Sequence, residues 1–314
     1  MLRASIDIGS NSTLLLVAEF DENRFREHEG RAHITGLGRG IRANKLFSSE
    51  AMNDTLAALH EYRTIIDFYK IDNRNILATA TEAARRAENS RDFFVQIKNK
   101  LNFDVKIITG NGEAYYTALG ICKGTTATAT ASSIPPVLTI IDIGGASTEF
   151  IKVQTSPFKI LSSISLPVGA VLAAEWEREQ SFDFNVDKIL TNKELVTYKT
   201  EHLIGAAGTM TSLAAMILGI KQDYQDDKVN GFSQNFSAFE AFIKSIEIHS
   251  PEYLEQQFSF LGKRAQTITA GGKIACKIGQ KLSISTLQTT TFGLRHGTLF
   301  QGEILPIHLA SYKR

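Results

Sequence analysis

The chain has 314 residues, of which 43% are apolar and 21% charged, and a formal net charge of +1. This length suggests two domains with two buried cores, and the near-zero charge argues against bulk electrostatic attraction to nucleic acid or membrane. No apolar run reaches the roughly 18 residues of a membrane span, and Cys122 and Cys276 lack metal-ligand spacing, which predicts free thiols in a reducing compartment. We therefore expect a cytoplasmic protein that binds neither DNA nor membrane.

The first part of the chain predicts an antiparallel meander of three strands, followed by alternating helices and strands. Gly36–Gly40 ends the meander, and Ser48 or Ser49 caps a helix whose apolar residues recur every three or four positions. The expected elements are strands over 3–8, 13–20, 24–36, 76–81 and 105–109, a helix-like segment over 81–89, and helices over 90–101 and from Glu113 to near Gly124.

A Thr/Ala/Ser-rich stretch over 125–136, ending in two prolines, predicts a mobile connector. It separates an expected domain I (1–125) from an expected domain II (126–296), and a last helix over about 297–314 is expected to pack back on domain I. Domain II predicts strands over 137–142, 147–153, 158–166, 202–206 and 284–288, helices over 169–179, 237–248 and 251–262, weakly patterned helix over 180–200, and helices opened by Gly205–Thr209 and by Gly271-Gly272.

The first strand of domain II ends on Asp142 and is followed by a glycine turn. In a hairpin centred on Gly145 and Ala146, Asp142 lies opposite Glu149, and directly opposed like charges are destabilising. A cation between them relieves that repulsion, and glycines let backbone N–H groups approach phosphate oxygens. Two interpretations follow from these residues: a site for a metal ion and a phosphate group, or an ordinary acidic hairpin turn.

The same sequence pattern occurs twice. Ile6–Thr13 matches Ile141–Thr148 at an offset of 135 residues, and each copy follows an apolar strand. The repetition favours the first interpretation and indicates two similar domains, each with one phosphate-binding turn. Opposite Asp7 stands Leu14, so the carboxylate pair belongs to the second copy only.

Two such halves are typical of the actin-like architecture, so the expected fold class is α/β, with two actin-like (ribonuclease H-like) domains flanking an interdomain cleft that holds the ligands. The chain also resembles the exopolyphosphatase/guanosine pentaphosphate phosphohydrolase (Ppx/GppA) family in its short two-domain form. The resemblance implies Mg²⁺-dependent removal of terminal phosphate from inorganic polyphosphate, or of the γ-phosphate of guanosine pentaphosphate. It is carried by Asp7–Ser12, Thr81–Asn89, Gly110–Ala114, Asp142–Glu149, Leu166–Val171, Gly205–Thr209 and Gly293–Gly297.

The resemblance also implies roles for individual residues. Glu113 is the candidate general base, Asp142 and Glu149 are candidate Mg²⁺ ligands, and Asp7 orients metal or water from the other domain. Arg85 is the candidate phosphate clamp, because a guanidinium meets phosphate oxygens bidentately. The other candidates are Gly9, Ser10, Asn11, Ser12, Gly144, Gly145, Ala146 and Ser147 for phosphate, and Gly205, Gly208 and Thr209 for a nucleotide-side turn at a helix N-terminus.

Four positions depart from the family pattern. Gly112 stands where a first glutamate is usual, and Ala146 stands where a third glycine is usual. Tyr115 and Leu172 replace arginines that are common in the family. The loss of two cationic positions is expected to weaken the grip on a polyanion, so these departures bear on substrate identity.

Three functions compete at this stage. The leading hypothesis is an Mg²⁺-dependent phosphoanhydride hydrolase that acts on polyphosphate or guanosine pentaphosphate. A non-catalytic sensor of guanosine penta- or tetraphosphate, or of another nucleotide, is the second, made plausible by the departures at Gly112, Tyr115 and Leu172. An actin-fold metabolite kinase is the third, although the Glu113 motif points away from it. A homodimer stays open.

Overall fold

The computed structural model describes residues 1–21, 24–128, 135–191, 193–201 and 203–311. The chain divides into two compact units, unit 1 with Met1–Ile134 and Gly293–Arg314, and unit 2 with Pro135–Phe292. Within the described ranges, no helix combines the length and the apolar character needed to cross a bilayer.

Unit 1 is built on a mixed five-stranded sheet, counted over its described residues, in the order β3-β2-β1-β4-β5. β1 pairs antiparallel with β2 and parallel with β4, so the meander leads directly into parallel strands. The elements are β1 (Leu2–Ile8), β2 (Thr13–Asp21), β3 (Arg24–His33), α1 (Ile41–Asn44), α2 (Ser49–Phe68), β4 (Ile76–Ala80), α3 (Glu82–Arg86), α4 (Ser90–Leu101), β5 (Lys106–Ile107) and α5 (Gly110–Thr128).

Unit 2 repeats this plan with a six-stranded sheet, again over the described residues, in the order β10-β11-β9-β6-β7-β8. β6 pairs antiparallel with β7 and parallel with β9, as β1 does with β2 and β4. The elements are β6 (Val137–Ile143), β7 (Thr148–Gln154), β8 (Lys159–Leu166), α6 (Ala170–Arg178), α7 (Phe182–Leu190), β9 (Leu203–Ala206), α8 (Ala207–Ile217), α9 (Asp226–Val229), β10 (Ser233–Asn235), α10 (Phe236–Ile246), α11 (Pro251–Gln257), α12 (Ile268–Leu282) and β11 (Thr286–Thr289).

The last helix of the described chain, α13 (Leu294–Gln301), packs in unit 1 against α5 and β1. It is eight residues long and ends where Gly302 adopts φ +81, a left-handed conformation that favours glycine. A one-turn 3₁₀ helix, Pro306–His308, follows. The helix predicted over about 297–314 is therefore wrong in its bounds.

Each unit has its own apolar core, formed where helices cover the sheet. In unit 1 the sheet residues Ile6 and Leu15 pack with Leu59, Tyr62 and Ile97 from α2 and α4, all at 0% exposure. Of the two predicted caps of α2, Ser48 and Ser49, the structure has Ser48, whose side chain accepts the N–H of Ala51. The unit 2 core contains β6 and β7 residues together with those of α6, α8, α10 and α12.

Several predicted bounds are corrected by the structure. The strand predicted over 105–109 is only Lys106–Ile107, and the following helix begins at Gly110, three residues before Glu113. That helix also takes up 125–128 of the predicted connector, whose residues 129–134 lie outside the described ranges. Gly271 and Gly272 lie inside α12 rather than before it. There the absence of a side chain lets the helix pack closely against Thr209 and Ile243.

Candidate active site

In unit 1 the turn Gly9–Ser12 joins β1 to β2 and is closed by its own backbone. The N–H of Gly9 donates to the carbonyl of Ser12 at 2.9 Å. Asp7, two residues earlier, pairs with Leu14 across the hairpin, which confirms the predicted register. The candidate phosphate turn and the candidate acid Asp7 therefore lie at one end of the β1–β2 ladder.

The loop Gly36–Gly40 packs against this turn. The N–H groups of Gly38 and Gly36 donate to the carbonyls of Ser10 and Asn11 at 2.7 and 2.9 Å. A Cβ at position 38 would lie only 2.8 Å from the Cβ of Ser10. These bonds fix the turn against the loop, and the groups that the turn can offer an anion are N–H groups, hydroxyls and the Asn11 amide.

Glu113 lies in the first turn of α5 and forms an ion pair with Arg85 of α3. Both terminal nitrogens of Arg85 donate to Glu113 Oε2 at 3.0 Å. Nη1 of Arg85 also donates to the carbonyl of Ile108 at 2.8 Å, and Nη2 to Glu82 Oε2 at 3.0 Å. The Glu113 side chain is 17% exposed. The candidate base and the candidate phosphate clamp thus hold each other in place.

The two carboxylates beside Arg85 differ in the direction of their pKa shifts. Burial raises the pKa of Glu113 above its ordinary value and outweighs the attraction of Arg85, while the charge of Glu82 adds to the rise. Burial also acts to raise the pKa of Glu82, but the charges and hydrogen bonds of Arg85 and Arg86 outweigh it and leave that pKa lowered. The folded state thus disfavours the charged form of Glu113 and favours the charged form of Glu82.

In unit 2 the corresponding turn has the same closing bond, from the N–H of Gly144 to the carbonyl of Ser147 at 3.0 Å. Here the support comes from the N-terminus of α6. The N–H groups of Ala170 and Val171 donate to the carbonyls of Gly144 and Gly145 at 2.8 and 2.9 Å. As in unit 1, carbonyls of the turn are bonded to protein N–H groups.

Gly169 makes this support possible. A Cβ at position 169 would lie 2.5 Å from the Ala146 nitrogen and from the Gly145 carbonyl carbon, and 2.6 Å from the Gly144 oxygen. All three contacts are backbone atoms, which cannot rotate away as a flexible side chain does. Only glycine fits where α6 meets the turn.

Asp142 and Glu149 lie directly opposite each other on β6 and β7, so the predicted pairing is confirmed. Glu149 is 8% exposed, and its Oε1 accepts hydrogen bonds from Ser147 Oγ at 2.6 Å and Ser165 Oγ at 2.9 Å. These bonds orient one carboxylate oxygen of Glu149 beside the glycine turn. Ser147, predicted as a phosphate ligand, is thereby bound to the candidate metal ligand.

The donor set of unit 2 fits Mg²⁺. Asp142 and Glu149 supply hard carboxylate oxygens, which Mg²⁺ prefers, and it commonly takes only one or two carboxylates together with waters and substrate phosphates. Within the described part of the chain, no group of three or more His, Cys, Asp and Glu side chains is arranged to hold a metal. A two-carboxylate site is therefore consistent with Mg²⁺ and not with a fully protein-ligated ion.

The predicted nucleotide-side turn lies where β9 ends and α8 begins. Gly205 is the third residue of β9, and Thr209 is the third residue of α8. The Thr209 hydroxyl donates to the carbonyl of Ile143 at 2.9 Å, which ties this helix start to β6. Thr209 therefore has a structural contact that the sequence did not predict.

A buried arginine lies against the same helix start. A Cβ at Gly208 would be 2.7 Å from Nη2 of Arg264, whose Nη1 donates to Ser212 Oγ at 2.9 Å. Burial lowers the pKa of Arg264, and its guanidinium forms none of the ion pairs seen among the described residues. A cation beside a helix N-terminus suits an anionic ligand.

Sequence reasoning missed Glu82, Gly38 and Gly169 as parts of this arrangement. Glu82 stands three residues before Arg85, a spacing that places both on one helix face. This spacing could have predicted their ion pair. Gly38 signalled only the end of the meander. Gly169 fell in a recognised motif, but its contact with the turn joins residues that are distant in sequence.

Comparisons with known proteins show the family and the fold of this chain. The family model described as the Ppx/GppA phosphatase family matches residues 16–304. A bifunctional 3-dehydroquinate synthase/phosphatase of Fusobacterium nucleatum is 28% identical over 88% of this chain and 42% of its own length. Exopolyphosphatase 2 of Mycobacterium tuberculosis is 28% identical over 68% of this chain and 70% of its own length.

A guanosine-5'-triphosphate,3'-diphosphate pyrophosphatase of Vibrio cholerae is 27% identical over 71% of this chain and 45% of its own length. The chain thus spans less than half the length of the Fusobacterium and Vibrio relatives. The crystal structure of the Aquifex aeolicus Ppx/GppA family member superposes with a TM-score of 0.78, at 28% identity, over 96% of this chain and 97% of that one. The predicted α/β fold built from two actin-like domains is confirmed.

Proposed function

The chain belongs to the Ppx/GppA phosphatase family, and from that premise we propose that it is an Mg²⁺-dependent phosphoanhydride hydrolase. The bond broken is the terminal P–O–P linkage of inorganic polyphosphate, the γ-phosphate linkage of guanosine pentaphosphate, or both. The names of the relatives from Mycobacterium and Vibrio support these two substrates.

The observation that carries the proposal is the buried ion pair of Glu113 and Arg85. A carboxylate whose pKa burial raises costs free energy when it is ionised in the folded state. Such a group, held at 3.0 Å by a guanidinium, is typical of an active site, where an acid must take up and release a proton. A structural acid at a helix N-terminus gains nothing from burial.

Hydrolysis then proceeds by attack of a water oxygen on the terminal phosphorus. The new O–P bond forms as the P–O bond to the shortened polyphosphate or nucleotide breaks, and the water proton passes to Glu113. Arg85 fixes the Glu113 carboxylate and adds positive charge near the transferring phosphoryl group. N–H groups of the turns Gly9–Ser12 and Gly144–Ser147, together with the hydroxyls of Ser10 and Ser12, bind phosphate oxygens, and Asp7 orients the water.

Asp142 and Glu149 would hold the Mg²⁺, which when bound supplies positive charge to the phosphoryl oxygens and the leaving group. Gly205, Gly208 and Thr209, beside the Arg264 cation, form the proposed subsite for the nucleotide end of guanosine pentaphosphate. The chemistry of this subsite, a cation beside a helix N-terminus, suits a phosphate group of either substrate.

The test is phosphate release by the purified protein from long polyphosphate, guanosine pentaphosphate and ATP, with and without Mg²⁺, beside Glu113→Gln. We expect Mg²⁺-dependent release from at least one of the first two substrates, lost in the variant. Binding of guanosine pentaphosphate without turnover by the wild type would contradict the hydrolase and favour a non-catalytic sensor. Transfer of phosphate from ATP to a metabolite would favour a kinase.

A further inference from the structure

The segment Glu303–Ala310 has no role in the function proposed so far, yet it lies along the residues that lead into α5. The N–H of Thr109 donates to the carbonyl of His308 at 2.8 Å, and the N–H of Ala310 donates to the carbonyl of Ile107 at 2.9 Å. The segment therefore extends the backbone pairing beyond the end of β5, next to the helix that carries Glu113.

Ile108 connects this segment to the ion pair. It forms an antiparallel bridge with Leu309, while its carbonyl accepts a hydrogen bond from Nη1 of Arg85 at 2.8 Å. The same nitrogen of Arg85 donates to Glu113 at 3.0 Å. A displacement of the segment would therefore move the anchor of the guanidinium that orients the candidate base.

Thr109 provides a second connection, because it caps α5. Its Oγ1 accepts the N–H of Gly112 at 3.0 Å, and its carbonyl accepts the N–H of Glu113 at 2.9 Å. Its own N–H is the group bonded to His308. The orientation of the helix turn that carries Glu113 thus depends on Thr109, whose N–H is bonded to the segment Glu303–Ala310.

His308 itself packs tightly on this turn. A Cβ at position 112 would lie 2.7 Å from the Cβ of His308 and 3.0 Å from its carbonyl oxygen, so the backbones approach closely because residue 112 is glycine. The imidazole ring lies 4.6 Å from the Tyr115 ring and 5.4 Å from the Tyr116 ring, between centroids. Burial lowers the pKa of His308 and so favours its neutral ring.

We propose that His308 is a positioning residue for the candidate base: it holds the first turn of α5 so that the carboxylate of Glu113 and the guanidinium of Arg85 keep their mutual orientation. The inference rests on the proposed function. It also gives Gly112 and Tyr115 a common explanation. Both contact His308 directly, so they are fitted to this support and are not signs of a degraded site.

Two pairs of variants test the proposal, each with a matched control. His308→Ala removes the ring, whereas His308→Phe keeps a ring against Tyr115. Gly112→Ala places a methyl group of α5 against His308. Gly110→Ala, in the same helix turn, adds a methyl group that meets nothing within 4 Å. Two quantities are measured well below the unfolding temperature: hydrogen–deuterium exchange of a peptide spanning residues 107–118, and kcat and KM for the preferred substrate.

We expect faster exchange and a roughly tenfold lower kcat in His308→Ala and in Gly112→Ala, because small misplacements of a catalytic group are costly. KM should stay within about twofold, since the residues proposed to bind phosphate are untouched. His308→Phe and Gly110→Ala should resemble the wild type in both measurements.

Unchanged exchange in both damaging variants would overturn the proposal, and so would faster exchange with an unchanged kcat, which would leave the segment a purely structural role. An equal loss of kcat in His308→Phe would exclude support by ring packing. Failure of the proposed function appears separately, as a wild type that releases no phosphate from either substrate. The exchange measurement would then still show whether His308 holds the turn.

Discussion

The two copies of the repeated turn share a backbone and differ in what surrounds it. In each, a glycine N–H closes the turn onto a serine carbonyl, at 2.9 Å in unit 1 and 3.0 Å in unit 2. The first is supported by a loop, through Gly36 and Gly38, and the second by the N-terminus of α6, through Ala170 and Val171. The turn is therefore an independent structural unit that accepts different supports.

A second difference lies across the hairpin from the aspartate. Asp7 faces Leu14 in unit 1, and Asp142 faces Glu149 in unit 2. Unit 1 has its second carboxylate elsewhere, on α5, where Glu113 pairs with Arg85. Under the proposed function, unit 2 holds the metal and unit 1 exchanges the proton. Two substitutions test this difference between the units, and two more test the supports of the turns.

The largest effect is expected from Glu149→Gln, which makes the second copy resemble the first by removing its extra charge. Loss of a metal ligand should lower kcat by roughly 10²-fold or more, since metal charge contributes several kcal/mol to the transition state. A titration of activity against Mg²⁺ checks this and should show a weaker apparent affinity. Glu179→Gln, at an exposed position of the same unit, is the control, and equal activity of both variants would contradict a metal role.

Arg85→Met tests the proton-transfer side of the comparison. Arg85 opposes the rise in the pKa of Glu113, so its removal should raise that pKa further. A base must be ionised to act, so the acid limb of log(kcat/KM) should move to higher pH. Arg91→Met, at an exposed position of α4, should leave the limb in place, and a limb unmoved in Arg85→Met would argue against Glu113 as the base.

Gly169→Ala tests how strongly the second turn depends on its support. The added Cβ would meet three backbone atoms within 2.6 Å, so we expect the free energy of unfolding to fall by about 1–3 kcal/mol. The displaced turn should also lower kcat/KM by roughly tenfold. Thermal unfolding and steady-state kinetics measure the two effects, and a fully active, fully stable variant would show that the turn does not need this contact.

Gly38→Ala is the matching change at the first turn and should have the smallest effect. Its Cβ would lie 2.8 Å from the Cβ of Ser10 and 3.1 Å from the Ser10 carbonyl oxygen, and a loop can shift more readily than a helix start. We expect a loss of about 1 kcal/mol in stability and an increase in KM greater than the decrease in kcat. A larger loss of stability than in Gly169→Ala would show that the first turn depends on its support more strongly than the second.

Much of this arrangement could be predicted from local sequence. The period-2 strands, the turn glycines and the opposition of Asp142 to Glu149 follow from short-range rules of hairpin register, and the repeat at 135 residues revealed the second turn. The start of α5 was misplaced because Gly110 and Gly112 are typical of turns. Here the Thr109 hydroxyl caps the helix by accepting the Gly112 N–H.

Contacts between distant segments were not predictable in this way. The bond of Glu113 to Arg85 spans 28 residues, and the fit of Gly112 to His308 depends on a backbone approach that no local pattern encodes. Gly38 and Gly169 are similar cases, since each is glycine because another backbone lies where its side chain would be. In the sequence such a residue is only a glycine, and the neighbouring backbone that requires it is seen only in the structure.

The bonded carbonyls of the two turns have a consequence for the binding of a ligand. Because the carbonyl oxygens of Ser10, Asn11, Gly144 and Gly145 accept hydrogen bonds from protein N–H groups, the protein itself holds the peptide planes of both turns in place. Each turn therefore keeps one backbone geometry before a ligand arrives, and binding there costs little backbone entropy.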